Sequence, residues 1–321
     1  MVVVREAEFG ELTERHRREL RVHCYRMLGS YDEADDLVQE TFLRAWNRRD
    51  GFEGRASFRA WLYRIATNAC LDHLDRHRRE PRPYRVPPAV GPADAEPPDE
   101  LPWLQPYPDS ELPEEQVVAR ETIELAFLVA IQHLPPVQRA TLILRDVLGW
   151  TAPDTAEALG TSVAGVKSAL QRARPVLRSR LPERRTEWKA DPSPTEAERD
   201  LLSRYLAAMD ARDASALADL LAADFRVTMP PNELWFAGAA EFAAAMVEQA
   251  DPASPMFVGD WRWRLSRGNR SPVVAGYLRV PEDDTFRALV LNVLQVSGGR
   301  IAAITAFEAR HVERFGLPPT A

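Results

Sequence analysis

A chain of 321 residues, 45% hydrophobic and 28% charged with a formal net charge of −7, has room for two or three globular domains of ordinary water-compatible composition. Two cysteines are too few for a disulfide framework, no apolar run approaches membrane-spanning length, and the opening MVVVREAEFG lacks the apolar stretch of a signal peptide. An acidic total opposes nucleic-acid binding by the chain as a whole, so any such role needs a locally basic block.

The charge is unevenly placed. Residues 1–80 carry 15 basic and 15 acidic groups, 81–116 carry 2 and 8, 117–190 carry 11 and 7, and 191–321 carry 13 and 18. Cys24 and Cys70 lie in helical patterns and read as small buried hydrophobes of a reducing compartment. His16, His23 and Cys24 do not form a metal-ligand set at sensible spacing. No metal, no cofactor and a cytoplasmic location are expected.

The first block, 1–80, reads as helical. DEADDLVQETFLRAWNR places Ala34, Leu37, Val38, Phe42 and Ala45 on one stripe. After the turn DGFEGRAS, the run SFRAWLYRIATNACLDHLDR places Phe58, Leu62, Ile65 and Ala69 on another. Beside that core stripe a second row forms from Ser57, Trp61, Arg64 and Asn68. An aromatic, a cation and an amide in one row suit unpaired bases, through stacking, phosphate contact and base-edge hydrogen bonds. A half-buried Trp with solvated neighbours is the alternative from spacing alone. On the preceding helix Asp36, Gln39 and Glu40 make a polar edge, which by itself reads as a solvated face.

Residues 81–113 hold 11 of the chain's 26 prolines. This stretch is expected to form neither helix nor packed core, but an extended linker over 81–116, stiffened by proline and like charge, whose acidic excess is expected to mimic nucleic acid in a basic path. The next block is helical again. LPPVQRATLILRDVLGWT is closed by Gly149, and APDTAEALGTSVAGVKSALQRARPVL reads as helix, turn at Gly160, helix. Thr151 is the expected N-cap of the first of these, with Pro153 in its first turn. The helix from Ser162 to Arg174 presents Lys167, Ser168, Gln171, Arg172 and Arg174, types that contact bases and phosphates. Residues 163–185 hold seven basic groups and one acidic one.

A second break at KADPSPTEAERD offers Ser193 or Thr195 as a helix N-cap. Helices are then expected near 196–208 and 213–222. They precede a strand-like FRVTMPP, a helix AAEFAAAMVEQ, and four strand runs WRWRLSR, PVVAGYLRV, FRALVLNVLQV and RIAAITAFEAR with hairpin turns between them. That is α+β with a curved antiparallel sheet.

Taken whole, SYDEADDLVQETFLRAW followed by GRASFRAWLYRIATNACLDHL resembles region 2 of the extracytoplasmic-function sigma factors of the sigma-70 family. LPPVQRATLILRDVLGWTAPDTAEALGTSVAGVKSALQRARPVLRSRL resembles their region 4. The two matches cover about residues 10–80 and 115–185. The resemblance implies binding to core RNA polymerase, through the β′ clamp and the β subunit, and direction of that enzyme to promoter DNA. It places Asn68 where the family captures a flipped base of the −10 element, with Trp61 and Arg64 nearby. It places Asp36, Gln39 and Glu40 on the β′ clamp helices, and the Ser162–Arg174 helix on the −35 element. TAPDTAEAL departs from the aromatic and acidic pair that the family often carries there.

LLSRYLAAMDARDASALADLLAADFRVTMPP resembles the start of SnoaL-like domains, which share a cone-shaped α+β fold with ketosteroid isomerase and polyketide cyclases. On this resemblance the isomerase base falls at about Met229, the oxyanion tyrosine at Tyr205 and its partner near Asn292. Methionine takes no proton, so the expectation is a pocket that binds a small apolar ligand without catalysis, lined by Tyr205, Met229, Trp235, Trp261 and Asn292. Trp263, Phe257 and Phe286 would add walls. Filling of the cone by these aromatics as core is the alternative.

The expected whole is multidomain: an all-α sigma region 2 bundle at 1–80, the linker at 81–116, an all-α region 4 helix-turn-helix at 117–189, and a SnoaL-like domain at 196–315 that regulates in cis. No catalytic residue is expected. Two rivals remain: a SnoaL-like isomerase or cyclase fused to a DNA-binding half, and a helix-turn-helix regulator independent of polymerase.

Overall fold

Serine and threonine hydroxyls open four of the helices before residue 181 in the computed structural model, which describes residues 6–52, 57–113, 120–181 and 196–321. Helix α1 (Glu6–Glu14) leads to α2 (Arg17–Leu28), which ends at Gly29. The Ser30 hydroxyl accepts the Glu33 N–H at 3.4 Å and opens α3 (Tyr31–Asn47). Ser57 accepts the Ala60 N–H at 3.2 Å and opens α4 (Phe58–Arg76). Its place at the head of the polar row is thus a cap. Of the two expected stripes, Ala34, Leu37, Val38, Ala45, Leu62, Ile65 and Ala69 are buried, while Phe42 and Phe58 are half-buried.

The next helices are α5 (Leu125–Gln132) and α6 (Pro136–Leu142), the latter continued by a π-turn over Ile143–Val147. Thr151 accepts the Asp154 N–H at 3.2 Å and starts α7 (Ala152–Ala158). Ser162 accepts the Gly165 N–H at 3.0 Å and starts α8 (Val163–Arg180). The expected helix-turn-helix is present. The chain forms two units: Met1–Pro81 with Glu111–Lys189, and Arg82–Ser110 with Ala190–Ala321. The expected caps Ser193 and Thr195 lie outside the described residues.

Within the first unit His23 is fully buried between α2 and α4, its Nε2 2.9 Å from Thr67 Oγ1. The Thr67 hydroxyl donates to the Tyr63 carbonyl at 2.7 Å, so it accepts from His23 Nε2–H. Burial, aided by the charges of Arg26 and Arg59, lowers the His23 pKa from 6.5 to about 3. The folded imidazole therefore stays neutral where the unfolded one takes a proton. Stability is complete above pH 6.5 and is lost as pH falls towards 3. The slope from this one group is ~1.4 kcal/mol per pH unit. Urea unfolding across this range is expected to show the slope, and His23→Gln, which keeps a donor for Thr67, to flatten it.

The second unit starts with α9 (Glu196–Ala211) and α10 (Ala214–Leu220). Strands β3 (Leu221–Thr228) and β4 (Trp235–Ala237), helix α11 (Ala239–Ala250), and strands β5 (Asp260–Gly268), β6 (Ser271–Arg279), β7 (Arg287–Ser297) and β8 (Arg300–Glu308) follow. The six strands order as β4-β3-β8-β7-β6-β5. Consecutive β5 to β8 pair antiparallel, but β3 lies parallel to β8, so the sheet is mixed where an antiparallel one was expected. No hairpin joins these two strands. The whole β5–β8 meander separates them and returns β8 alongside β3. Leu201, Tyr205, Leu217, Phe225, Val274, Leu294 and Ile304 form the core between helices and sheet.

Residues 82–110 correct the expectation of an unpacked linker, because they belong to the second unit. A two-stranded ladder pairs β1 (Arg82–Pro83) with β2 (Asp99–Glu100). Tyr84, Leu101, Leu104 and Tyr107 are buried. At one edge of the sheet the Ala89 N–H donates to Trp235 O at 2.8 Å and the Ala237 N–H to Val90 O at 3.0 Å. Gly91, at φ 121°, passes so close to the Ala237 carbonyl that a Cβ would collide with it. At the opposite edge Tyr107 N–H donates to Asn269 Oδ1, and Asn269 N–H to Tyr107 O, both at 2.8 Å. Proline forbids a helix, but an extended chain with few N–H groups suits a sheet edge, and four apolar side chains anchor it.

Candidate nucleic-acid, polymerase and ligand sites

Helix α4 carries Trp61, Arg64 and Asn68 on one row. Trp61 is half-buried, its ring 5.2 Å from Phe52 and 5.6 Å from Phe58. Arg64 is exposed and its Nη1 meets Glu157 Oε1 of α7 at 2.9 Å. Asn68 Nδ2 donates to Arg64 O at 2.9 Å and to the Ala158 carbonyl at 3.4 Å. The end of α7 therefore rests on this row, a long-range contact that no local pattern announces.

On α3, Asp36 and Gln39 are exposed and Glu40 is half-buried. Glu40 accepts from Arg44 Nε at 2.9 Å, and Arg44 Nη1 reaches Asp72 of α4 at 2.6 Å. Those two carboxylates outweigh the cost of partial burial and hold the Arg44 pKa above its ordinary value. Arg44 is thus the tie between helices and Glu40 steadies it from the same helix, while Asp36 and Gln39 face outward. Leu43, 65% exposed, continues their row at i+4 from Gln39. It was missed because its type suggested packing, although it lies off the apolar stripe.

On α8, Lys167, Gln171 and Arg172 are exposed and Ser168 is half-buried. Arg172 donates to Ser168 Oγ at 2.6 Å. Arg174 makes a bidentate pair with Asp146 at 2.8 and 2.9 Å, so its charge is partly neutralised before any phosphate arrives. The pair raises its pKa further.

A cavity of about 550 Å³ lies in the second unit, between α9, α11 and the sheet. Met229, Trp261 and Asn292 line it as expected, together with Trp263. The Trp261 and Trp263 rings lie parallel within 2°, centroids 5.1 Å apart. Gly276 faces them from β6, where an added Cβ would approach the Trp263 ring to 2.7 Å. Tyr205 and Trp235 do not line it. Tyr205 is 1% exposed in the core, where burial raises its phenol pKa. Trp235 donates its indole N–H to Val86 O at 2.9 Å and packs on Tyr84. Resemblance places Tyr205 in the lining and aromatic type places Trp235 there, and neither signal registers the segment that covers Trp235. Phe257 and Phe286 also lie outside the lining.

The Sigma-70 region 2 family model matches residues 12–80, the Sigma-70 region 4 model residues 124–175, and the SnoaL-like domain model residues 202–304. The chain is 42% identical, over 98% of its length and 85% of the relative's, to the ECF RNA polymerase sigma factor SigG of Mycobacterium tuberculosis. It is 28% identical to SigJ of the same organism over 90% of this chain and 88% of that one. The crystal structure of the extracytoplasmic function sigma factor SigJ shares the fold at TM-score 0.60 and 23% identity, covering 97% of this chain and 99% of that chain. With both sigma-70 regions present in order and such a relative spanning nearly all of it, the chain belongs to the extracytoplasmic-function family of RNA polymerase sigma factors, which direct the enzyme to promoters.

Proposed function

We propose that the first unit does the promoter work and that the second regulates it in cis without catalysis. In this reading Asn68, Trp61 and Arg64 capture a flipped −10 base, and Lys167, Ser168, Gln171, Arg172 and Arg174 contact the −35 element. Asp36 and Gln39, joined by Leu43, dock on the β′ clamp. The polymerase β subunit is the other expected surface. No described helix is long and apolar enough to cross a membrane, and the proposed site of action is the cytoplasm, with polymerase.

The observation that carries cis regulation is the course of residues 84–109 along both edge strands of the second unit's sheet. These residues connect region 2 to region 4. While strapped to the sheet they are unavailable to polymerase. Tyr84 also hydrogen-bonds the Met229 backbone, and Val90 bridges Phe236. Met229 and Phe236 both line the cavity. A small ligand there has a physical route to the strap by favouring one arrangement.

Against catalysis, the one ionisable side chain among the described lining residues is Glu308, which is 48% exposed and paired with Arg310 at 2.6 Å. A methionine stands where the isomerase fold would need a base.

Gly91→Ala in the full chain tests the strap. The added methyl collides with Ala237 O, so residues 84–109 are expected to be cleaved at least severalfold faster in limited proteolysis, with transcription raised. Unchanged cleavage and output would contradict the reading.

A further inference from the structure

Resting on the ligand-pocket reading above, we propose that the cavity of the second unit selects a lipophilic organic cation. Its walls hold no lysine, arginine or histidine among the described residues. A carboxylate or phosphate would enter without a counter-charge, with only the amide N–H groups of Asn232, Gln249 and Asn292 to replace its hydration. A cation meets the opposite situation. The stacked Trp261 and Trp263 rings both line the cavity, and aromatic rings attract cations through their quadrupoles. Met209, Met229 and Met246 contribute three polarisable thioethers. The amides of Asn232, Gln249 and Asn292 each carry an acceptor oxygen as well as donors, and Glu308 brings the one formal charge among the described lining residues.

Glu308 is already paired with Arg310, at 2.6 Å. Both partners of that pair are exposed, 48% and 69%, and Arg310 does not line the cavity. Exposed pairs of this kind are weak, so a cation sheltered by the tryptophans competes for the carboxylate.

The mouth suits a greasy molecule. Leu234, Val258 and Leu289 line the cavity and are still 36%, 38% and 50% exposed. Methionine walls adapt to shape, so tolerance of different cation scaffolds is part of the proposal.

Three tetrahedral or near-tetrahedral phenyl compounds separate charge from bulk: tetraphenylphosphonium, triphenylphosphine oxide and tetraphenylborate. Each is titrated into the intact full-length chain by calorimetry. The phosphonium is expected to bind at least tenfold more tightly than the borate, with the neutral oxide between them. Glu308→Gln, a surface change, is expected to weaken the phosphonium roughly three- to tenfold and leave the oxide unaltered. Trp261→Leu is expected to weaken the phosphonium more than the oxide. Borate binding as tight as the phosphonium, or an equal effect of Glu308→Gln on both, would overturn the charge preference while leaving a ligand pocket in place. Failure of all three to bind would overturn the pocket reading itself.

Discussion

Asp36→Arg combined with Leu43→Glu is expected to lower affinity for core RNA polymerase by about 100-fold or more, with the helical fold intact. Asp36 and Gln39 point outward from α3 and Leu43 is 65% exposed on the same row. Among the described residues nothing covers this leucine, which shares its row with Asp36 and Gln39, whereas an apolar anchor beside a carboxylate is the makeup of a docking hot spot. Buried hot-spot side chains are worth ~2 kcal/mol or more each, and reversing a charge adds repulsion to that loss. Glu40 is left out of the test deliberately. It pairs with Arg44 of its own helix, and Arg44 reaches Asp72 of α4, so its reversal would perturb that tie as well as docking. Fluorescence anisotropy with labelled protein and purified core enzyme measures the affinity, and circular dichroism checks the fold. Unchanged affinity would remove α3 from the proposed polymerase surface.

Asn68→Ala is expected to leave closed-complex formation nearly intact and reduce promoter melting about 10- to 100-fold. A well-placed amide-to-base pairing is worth ~1–3 kcal/mol of discrimination. The fold gives this substitution little to lose. Asn68 is half-buried and its Nδ2 bonds reach the Arg64 and Ala158 carbonyls, while alanine is the better helix former. Thermal stability is therefore expected to stay level or rise as melting falls, an opposition that a merely structural residue would not show. Permanganate footprinting reads the melted thymines. The contact of Glu157 and Ala158 with this row implies that α7 must leave before a base can enter. Equal melting by Asn68→Ala and the parent would contradict the base-capture role.

What could be read from residues alone followed the range of the interactions. The helices α3, α4 and α8 are set by local periodicity and by hydroxyl caps, and both are written within a few residues. The outward row Asp36–Gln39 and the exposed α8 side chains follow from the same geometry. Resemblance then supplied roles that spacing alone left open between packing and recognition. Apart from Leu43 and the cap Ser57, the failures are long-range. Proline density correctly ruled out a helix over 81–113, yet says nothing about whether an extended chain will find a sheet edge, and Tyr84 and Tyr107 were the overlooked apolar anchors. Trp235 looked like a pocket wall because the segment that caps its indole lies about 150 residues earlier, at Val86. Tyr205 faces the core because α9 turns that side of itself to Phe225 and its neighbours. The parallel pairing of β3 with β8, and the seat of α7 on the α4 row, depend on topology that no single run of residues encodes.

Control of the first unit by the second is tested most directly by run-off transcription with one purified core polymerase, on a promoter recovered by genome-wide run-off with the same holoenzyme. The intact chain is compared with a chain ending at Lys189, at equal and saturating concentrations. With the strap's docking surface removed, the shorter chain is expected to initiate from the same start site with a transcript yield severalfold higher. Equal yield, or a lower one from a folded truncated chain that still binds core polymerase, would contradict restraint in cis.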